Sequence, residues 1–95
     1  MWPRLIQQKH VIISGKVQGV WFRASTKQQA EQLGITGWVR NTKQGHVEAV
    51  FQGDTVALEQ MISWCHQGPP LAHVQAVDVT EESVDSLLTE FMIKY

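Results

Sequence analysis

Residues 9–34 read KHVIISGKVQGVWFRASTKQQAEQLG, and this stretch fixes how the rest of the chain is to be read. Lys9 to Gly15 (KHVIISG) is a short run rich in β-branched residues that stops at a glycine, which reads as a central strand. From Phe22 onward Phe22, Thr26, Ala30 and Leu33 recur at helical spacing. Gly34 then stands where a left-handed C′ residue ends a helix. Between strand and helix lies a glycine-spaced loop, so the segment is a strand handing over to a helix N-terminus.

Working outward, a Trp2-Pro3 tail precedes the strand, and Ile35 to Asn41 (ITGWVRN) reads as a second strand. TKQG is a turn in which Gly45 supplies the permissive backbone, and Val47, Ala49 and Phe51 alternate with Glu48 and Gln52 on the return. The pair is a β-hairpin with one buried face. Asp54 is placed to cap a second helix whose stripe is Leu58, Met61, Ile62 and Cys65, closed by Gly68-Pro69-Pro70. Val74 to Thr80 reads as a fourth strand and EESVDS as an acidic loop. Phe91, Ile93 and Tyr95 alternate in a last short strand. The order predicts an α+β, ferredoxin-like βαββαβ sandwich: an antiparallel sheet, two helices on one face and a short extra C-terminal edge strand, in one domain over residues 1–95. That topology hosts enzymes, metal carriers and RNA binders alike, so function has to come from a site.

Composition narrows the choice. Eight Lys and Arg stand among nine Asp and Glu, for a net charge of −1, so no electrostatic footprint for a nucleic-acid backbone is present. An RNA-binding module would need aromatics on the two central strands, where only Phe51 is available, alternating with the core residues Val47 and Ala49. His10, His46, His66 and His73 share no metal-ligand spacing, and one cysteine cannot make the pair a metal carrier needs, so no metal and no cofactor are expected. Cys65 falls on the helical stripe and reads as a buried, inert thiol. The opening residues lack the apolar core of a signal peptide, and no run of 18 apolar residues occurs. A soluble cytoplasmic monomer, without membrane or nucleic-acid partners, is expected.

The loop itself carries chemistry. At a strand-to-helix junction, unpaired amides and the positive end of the helix dipole make an anion site. Arg23, in the first helical turn, adds a planar fork able to grip two phosphate oxygens. A cation there opposes the helix dipole, which favours a functional reason for it over a merely solvated one. No Gly-Lys-Ser/Thr follows, so the loop is not a nucleotide-binding P-loop.

Gly15, Val17, Gln18, Gly19, Val20, Phe22 and Arg23 fit the pattern G-x-V-Q-G-V-x-F-R, which resembles the acylphosphatase signature without a departure. A second block, Gly37, Trp38, Val39, Asn41, Gly45, Val47 and Glu48, is similar as well. So is the ending Phe91, Ile93, Lys94 and Tyr95, although Arg is equally expected at Lys94. The resemblance implies hydrolysis of acyl phosphates to a carboxylate and inorganic phosphate by direct water attack, with no phosphoenzyme and no metal. It implies catalytic roles for Arg23, which binds phosphate, and Asn41, which orients water. The phosphate-binding loop would be Gly15, Lys16, Val17, Gln18, Gly19, Val20, Trp21 and Phe22.

Within that loop, Val17, Val20 and Phe22 read as packing residues, Gln18 as a holder of the loop's shape, and Trp21 as either a wall at the mouth of the site or a surface aromatic, the second preferred. Trp38 and Trp64 read as packing, and Glu81-Glu82 as part of a solvated loop. Acylphosphatase-like domains also lead larger maturation proteins acting on carbamoyl phosphate. The ending at Tyr95 favours the free-standing enzyme over that accessory role.

Overall fold

Val11, Ile13, Val39, Val47, Ala49 and Phe51 alternate along three strands and lose all contact with solvent. Each fully buried side chain of this kind contributes about 1.5–3 kcal/mol, which is what holds the sheet under its helices. In a computed structural model describing residues 5–95, the elements run β1 (Ile6–Lys16), α1 (Phe22–Gln32), β2 (Thr36–Asn41), β3 (Val47–Asp54), α2 (Thr55–Gln67), β4 (His73–Glu82) and β5 (Phe91–Ile93). The Trp2-Pro3 tail lies outside the described residues.

The strand order is β4-β1-β3-β2-β5. β1 pairs antiparallel with both β3 and β4, and β2 antiparallel with β3. The extra strand β5 pairs parallel with β2, so the expected antiparallel sheet describes four strands and the whole is mixed. The reason is geometric. Gln8 pairs with both Gln52 and Glu82, and Gln52 with Thr36, so β4 ends at the edge of the sheet where β2 begins. A chain crossing at that end runs back in the direction of β2. The crossing is pinned by Gln52, whose Nε2 donates to the Asp85 carbonyl at 2.9 Å and whose Oε1 accepts from the Asp85 N–H at 2.8 Å.

α1 packs on β2, β5 and β3, while α2 packs on β4, β1 and β3, and the two helices touch, so both cover one sheet face. The Asp54 carboxylate caps α2 as expected, accepting from the Ala57 N–H at 2.9 Å. Leu58, Met61 and Cys65 are buried and Ile62 is half-buried. At the other helix, Gly34 has φ 69° and its N–H donates to Glu31 O, closing α1 as its sequence position indicates.

Two expectations are corrected. The hairpin does not leave one face open throughout, because Val50 and Gln52 on the side away from the helices are also buried. Glu81 and Glu82 belong to β4 rather than to a loop: Lys9 Nζ donates to Glu81 at 3.2 Å and Gln8 Nε2 to Glu82 at 3.0 Å. Charged residues are tolerated there because β4 is an edge strand. No helix among the described residues is long and apolar enough to cross a membrane.

Candidate active site

The loop between β1 and α1 is shaped from both ends. A bulge at Ser14/Gly15 brings β1 so close to β4 that a Cβ at Gly15 would sit 2.2 Å from the His73 carbonyl oxygen, so only glycine fits. Val17 and Val20 are buried and draw the loop onto the core, as expected of them. Phe22 docks the helix start edge-on against Trp64, with ring centroids 5.6 Å apart. The Gln18 Nε2 donates to the carbonyls of Thr42 and His46, each at 2.9 Å. Those two carbonyls bracket the β2–β3 turn, so Gln18 ties the loop to the strand end that carries Asn41. Lys16, by contrast, is exposed at the end of β1 and is not among the residues that line the cleft bordered by Arg23 and Asn41.

The start of α1 has an unusual cap. The cap residue is Trp21, in the left-handed conformation with φ 67° and ψ 23°, and no side chain caps the helix. A left-handed conformation costs a non-glycine residue about 1–2 kcal/mol, a cost characteristic of functional loops. Gly19 also has positive φ, 73°, on the other side of Val20, and turns of this kind direct successive N–H groups to one side. The first helical hydrogen bond runs from the Ser25 N–H to the Trp21 carbonyl at 3.0 Å. The amides of Phe22, Arg23 and Ala24 therefore have no helical acceptor, which leaves an electropositive N-terminus for an anion.

These groups border a cleft of about 340 Å³ whose walls include Gly19, Trp21, Arg23, Asn41, Ile93 and Tyr95. Arg23 and Asn41, far apart in sequence, are thus brought to one space. Among the described residues Arg23 makes no ion pair, and its guanidinium carbon lies 5.0 Å from the Tyr95 ring centroid. The Asn41 side-chain amide has no protein partner among the described residues either. A guanidinium without an ion pair and a carboxamide without a protein partner, bordering the same cleft as the uncapped amides, form a donor-rich anion site. Trp21 is 77% exposed, as a surface aromatic would be, and yet it also walls the cleft.

Ala24, Ile93 and Tyr95 were not expected as walls. β5 brings the last two in: Lys27 Nζ donates to Phe91 O at 2.8 Å, Lys94 N–H to Val39 O at 2.8 Å, and Phe91 stacks on Phe51 at 5.8 Å. The alternation of Phe91, Ile93 and Tyr95 was the available signal, but alternation does not say which neighbour a strand will meet.

Away from the cleft, Glu48 next to the hairpin turn accepts from Arg40 Nε at 2.5 Å and contacts His10 Nε2 at 2.6 Å. Burial alone raises its carboxyl pKa, but the hydrogen bonds and charges of His10 and Arg40 outweigh that and hold it below the ordinary value. Cys65 is fully buried on α2 and desolvation pushes its thiol up to about 12, so it is an inert packing group. Among the described residues no group of three or more His, Cys, Asp or Glu could hold a metal ion.

Comparison with known proteins agrees with this geometry. The acylphosphatase family model matches residues 9–93. An acylphosphatase from Methylococcus capsulatus is 47% identical over 88 residues, covering 93% of this chain and 96% of that one. A solved acylphosphatase from Coxiella burnetii superposes with TM-score 0.92 at 38% identity, covering 99% of this chain and all of that one. One from Bacillus subtilis superposes with TM-score 0.90 at 32% identity, covering 96% and 100%. With the family model spanning nearly the whole sequence and the fold matched end to end, this chain belongs to the acylphosphatase family.

Proposed function

We propose that the cleft hydrolyses the carboxyl–phosphate bond of acyl phosphates by direct attack of water on phosphorus. The observation that carries this reading is that Arg23, which among the described residues makes a ring contact with Tyr95 but no ion pair or hydrogen bond, and Asn41, whose side-chain amide has no protein partner among them, border one cleft at the N-terminus of α1, which no side chain caps. Arg23 and the amides of Gly19 to Ala24 bind the phosphoryl oxygens, and the Asn41 carbonyl accepts from the water while its N–H₂ donates to a phosphoryl oxygen. The water oxygen bonds to phosphorus as the phosphorus–carboxylate bond breaks, and the acyl group leaves with the bonding pair as a carboxylate. No Asp, Glu or His borders the cleft among the described residues, so the water's proton passes to a phosphoryl oxygen. A carboxylate leaves without help from a general acid, so positioning and charge stabilisation suffice.

On this reading the segment Gly15–Phe22, from the end of β1 to the start of α1, is the phosphate-binding loop, in a single acylphosphatase-like domain over residues 1–95 that acts without metal, as a cytoplasmic monomer. The test is turnover of benzoyl phosphate with EDTA present, comparing wild type with Arg23→Lys, Arg23→Ala and Asn41→Ala. Asn41→Ala loses about 10²–10³ in kcat, the effect of one preorganised stabilising group. Arg23→Lys behaves more like Arg23→Ala than like wild type, because a point charge cannot reproduce a bidentate grip. Near-normal turnover in these variants, or loss of wild-type turnover in EDTA, overturns the reading.

A further inference from the structure

We infer that Trp21 is the acyl-group selector of the site, a stacking surface that favours aromatic acyl phosphates over small aliphatic or carbamoyl ones; this rests on the reading of the cleft as the acyl-phosphate site. The cleft, at about 340 Å³, is within the size range of pockets that enclose small organic ligands, larger than a phosphate alone needs. Its polar lining consists of Arg23, Asn41 and the free amides of the helix start. The remaining side chains of the walls are apolar or aromatic, supplied by Val17, Trp21, Phe22, Ala24, Ile93 and Tyr95. Nothing there offers an acyl substituent a charged partner, so the acyl group is recognised by apolar contact and ring stacking.

Trp21 is suited to this in a way its neighbours are not. Val17 and Phe22 border the cleft but are almost wholly buried and Val20 is in the core, whereas Trp21 leaves 77% of its surface in solvent. Its backbone is left-handed, a conformation that tryptophan disfavours. A bulky aromatic held in a strained conformation and left uncovered gains its contact area when a flat ligand covers the indole. A benzoyl ring presents such a face; an acetyl or carbamoyl group does not.

The test is the ratio of kcat/KM for benzoyl phosphate to that for acetyl phosphate, measured for wild type, Trp21→Phe, Trp21→Asn and Trp21→Gly, with folding checked by circular dichroism. Asn and Gly both accept the left-handed backbone, so either removes the ring without adding strain, and one folded variant is enough. Expected is a wild-type ratio above one, which falls by about 2- to 12-fold in the Asn and Gly variants and is largely kept by Phe. An unchanged ratio in a folded Asn or Gly variant, with wild type turning over both substrates, overturns the selector role and leaves the acyl-phosphate reading intact. Wild type turning over neither substrate removes that reading, and the inference with it.

Discussion

The guanidinium carbon of Arg23 lies 5.0 Å from the centroid of the Tyr95 ring, joining the first turn of α1 to the residues just after β5. An arginine with no carboxylate partner among the described residues has many rotamers available in solvent, and the ring limits them. An exposed cation–π contact is worth about 0.5–1 kcal/mol, so Tyr95→Leu raises the inhibition constant of inorganic phosphate by about 2- to 5-fold. Tyr95→Phe keeps the ring face and stays near wild type. A Leu variant that binds phosphate as wild type does would show that the ring is a bystander.

The two hydrogen bonds of Gln18 couple the loop to the β2–β3 turn. In Gln18→Leu both acceptor carbonyls keep another donor, the Gly45 N–H for Thr42 and the Thr42 N–H for His46. No buried acceptor is orphaned, and the loss is the two bonds themselves, about 1–3 kcal/mol. In a domain of this length that lowers Tm by about 4–8 °C per kcal/mol. Because the tether also sets Asn41 relative to the loop, kcat falls along with Tm. A lower Tm with kcat intact would confine Gln18 to stability.

Gly15 and Gly19 both have positive φ but face different surroundings, and the same substitution separates them. At Gly15 an added Cβ meets His73 O at 2.2 Å and Gln75 N at 2.7 Å, both main-chain atoms that cannot yield without moving β4. Gly15→Ala therefore costs about 3 kcal/mol or more. At Gly19 an added Cβ meets nothing within 4 Å, so only the left-handed penalty of about 1–2 kcal/mol applies. Gly19 borders the cleft, however, and a methyl there intrudes where the anion binds. Urea unfolding is expected to rank Gly15→Ala as the less stable, and kcat/KM measured on folded protein to expose Gly19→Ala. Equal unfolding midpoints would contradict the close approach at Gly15.

Local chemistry made much of this legible in the sequence. Asp54 and Gly34 mark helix ends because capping is decided by one side chain or one backbone conformation, β1 shows as a β-branched run stopped by a glycine, and β3 shows in its alternating apolar residues. The sequence hides what depends on neighbours. Ile6 to Gln8 extend β1 only because β3 and β4 offer partners, and Glu81 and Glu82 extend β4 because an edge strand accepts charge. Arg23 stands out by its place at a helix start. Nothing local predicts that Trp21 adopts a left-handed conformation, which tryptophan disfavours, or that Tyr95 meets Arg23. Both come from the loop and the last strand packing around the same helix end.

Glu48 provides a prediction in pH. Its carboxyl, hydrogen-bonded by Arg40 and in contact with His10, titrates below the ordinary 4.5 in the folded protein despite the opposing effect of burial. A group whose folded pKa is depressed contributes stability that is fully present above its unfolded value and is lost as pH falls through the folded one. Thermal unfolding across acid pH is therefore expected to show wild type more stable than Glu48→Gln above 4.5, with the gap closing as the pH is taken well below it. Because the amide cannot titrate, the difference between the two proteins isolates this group from the other carboxylates. A gap of constant size down to the acid limit would mean that Glu48 acts through packing and hydrogen bonding rather than through its charge.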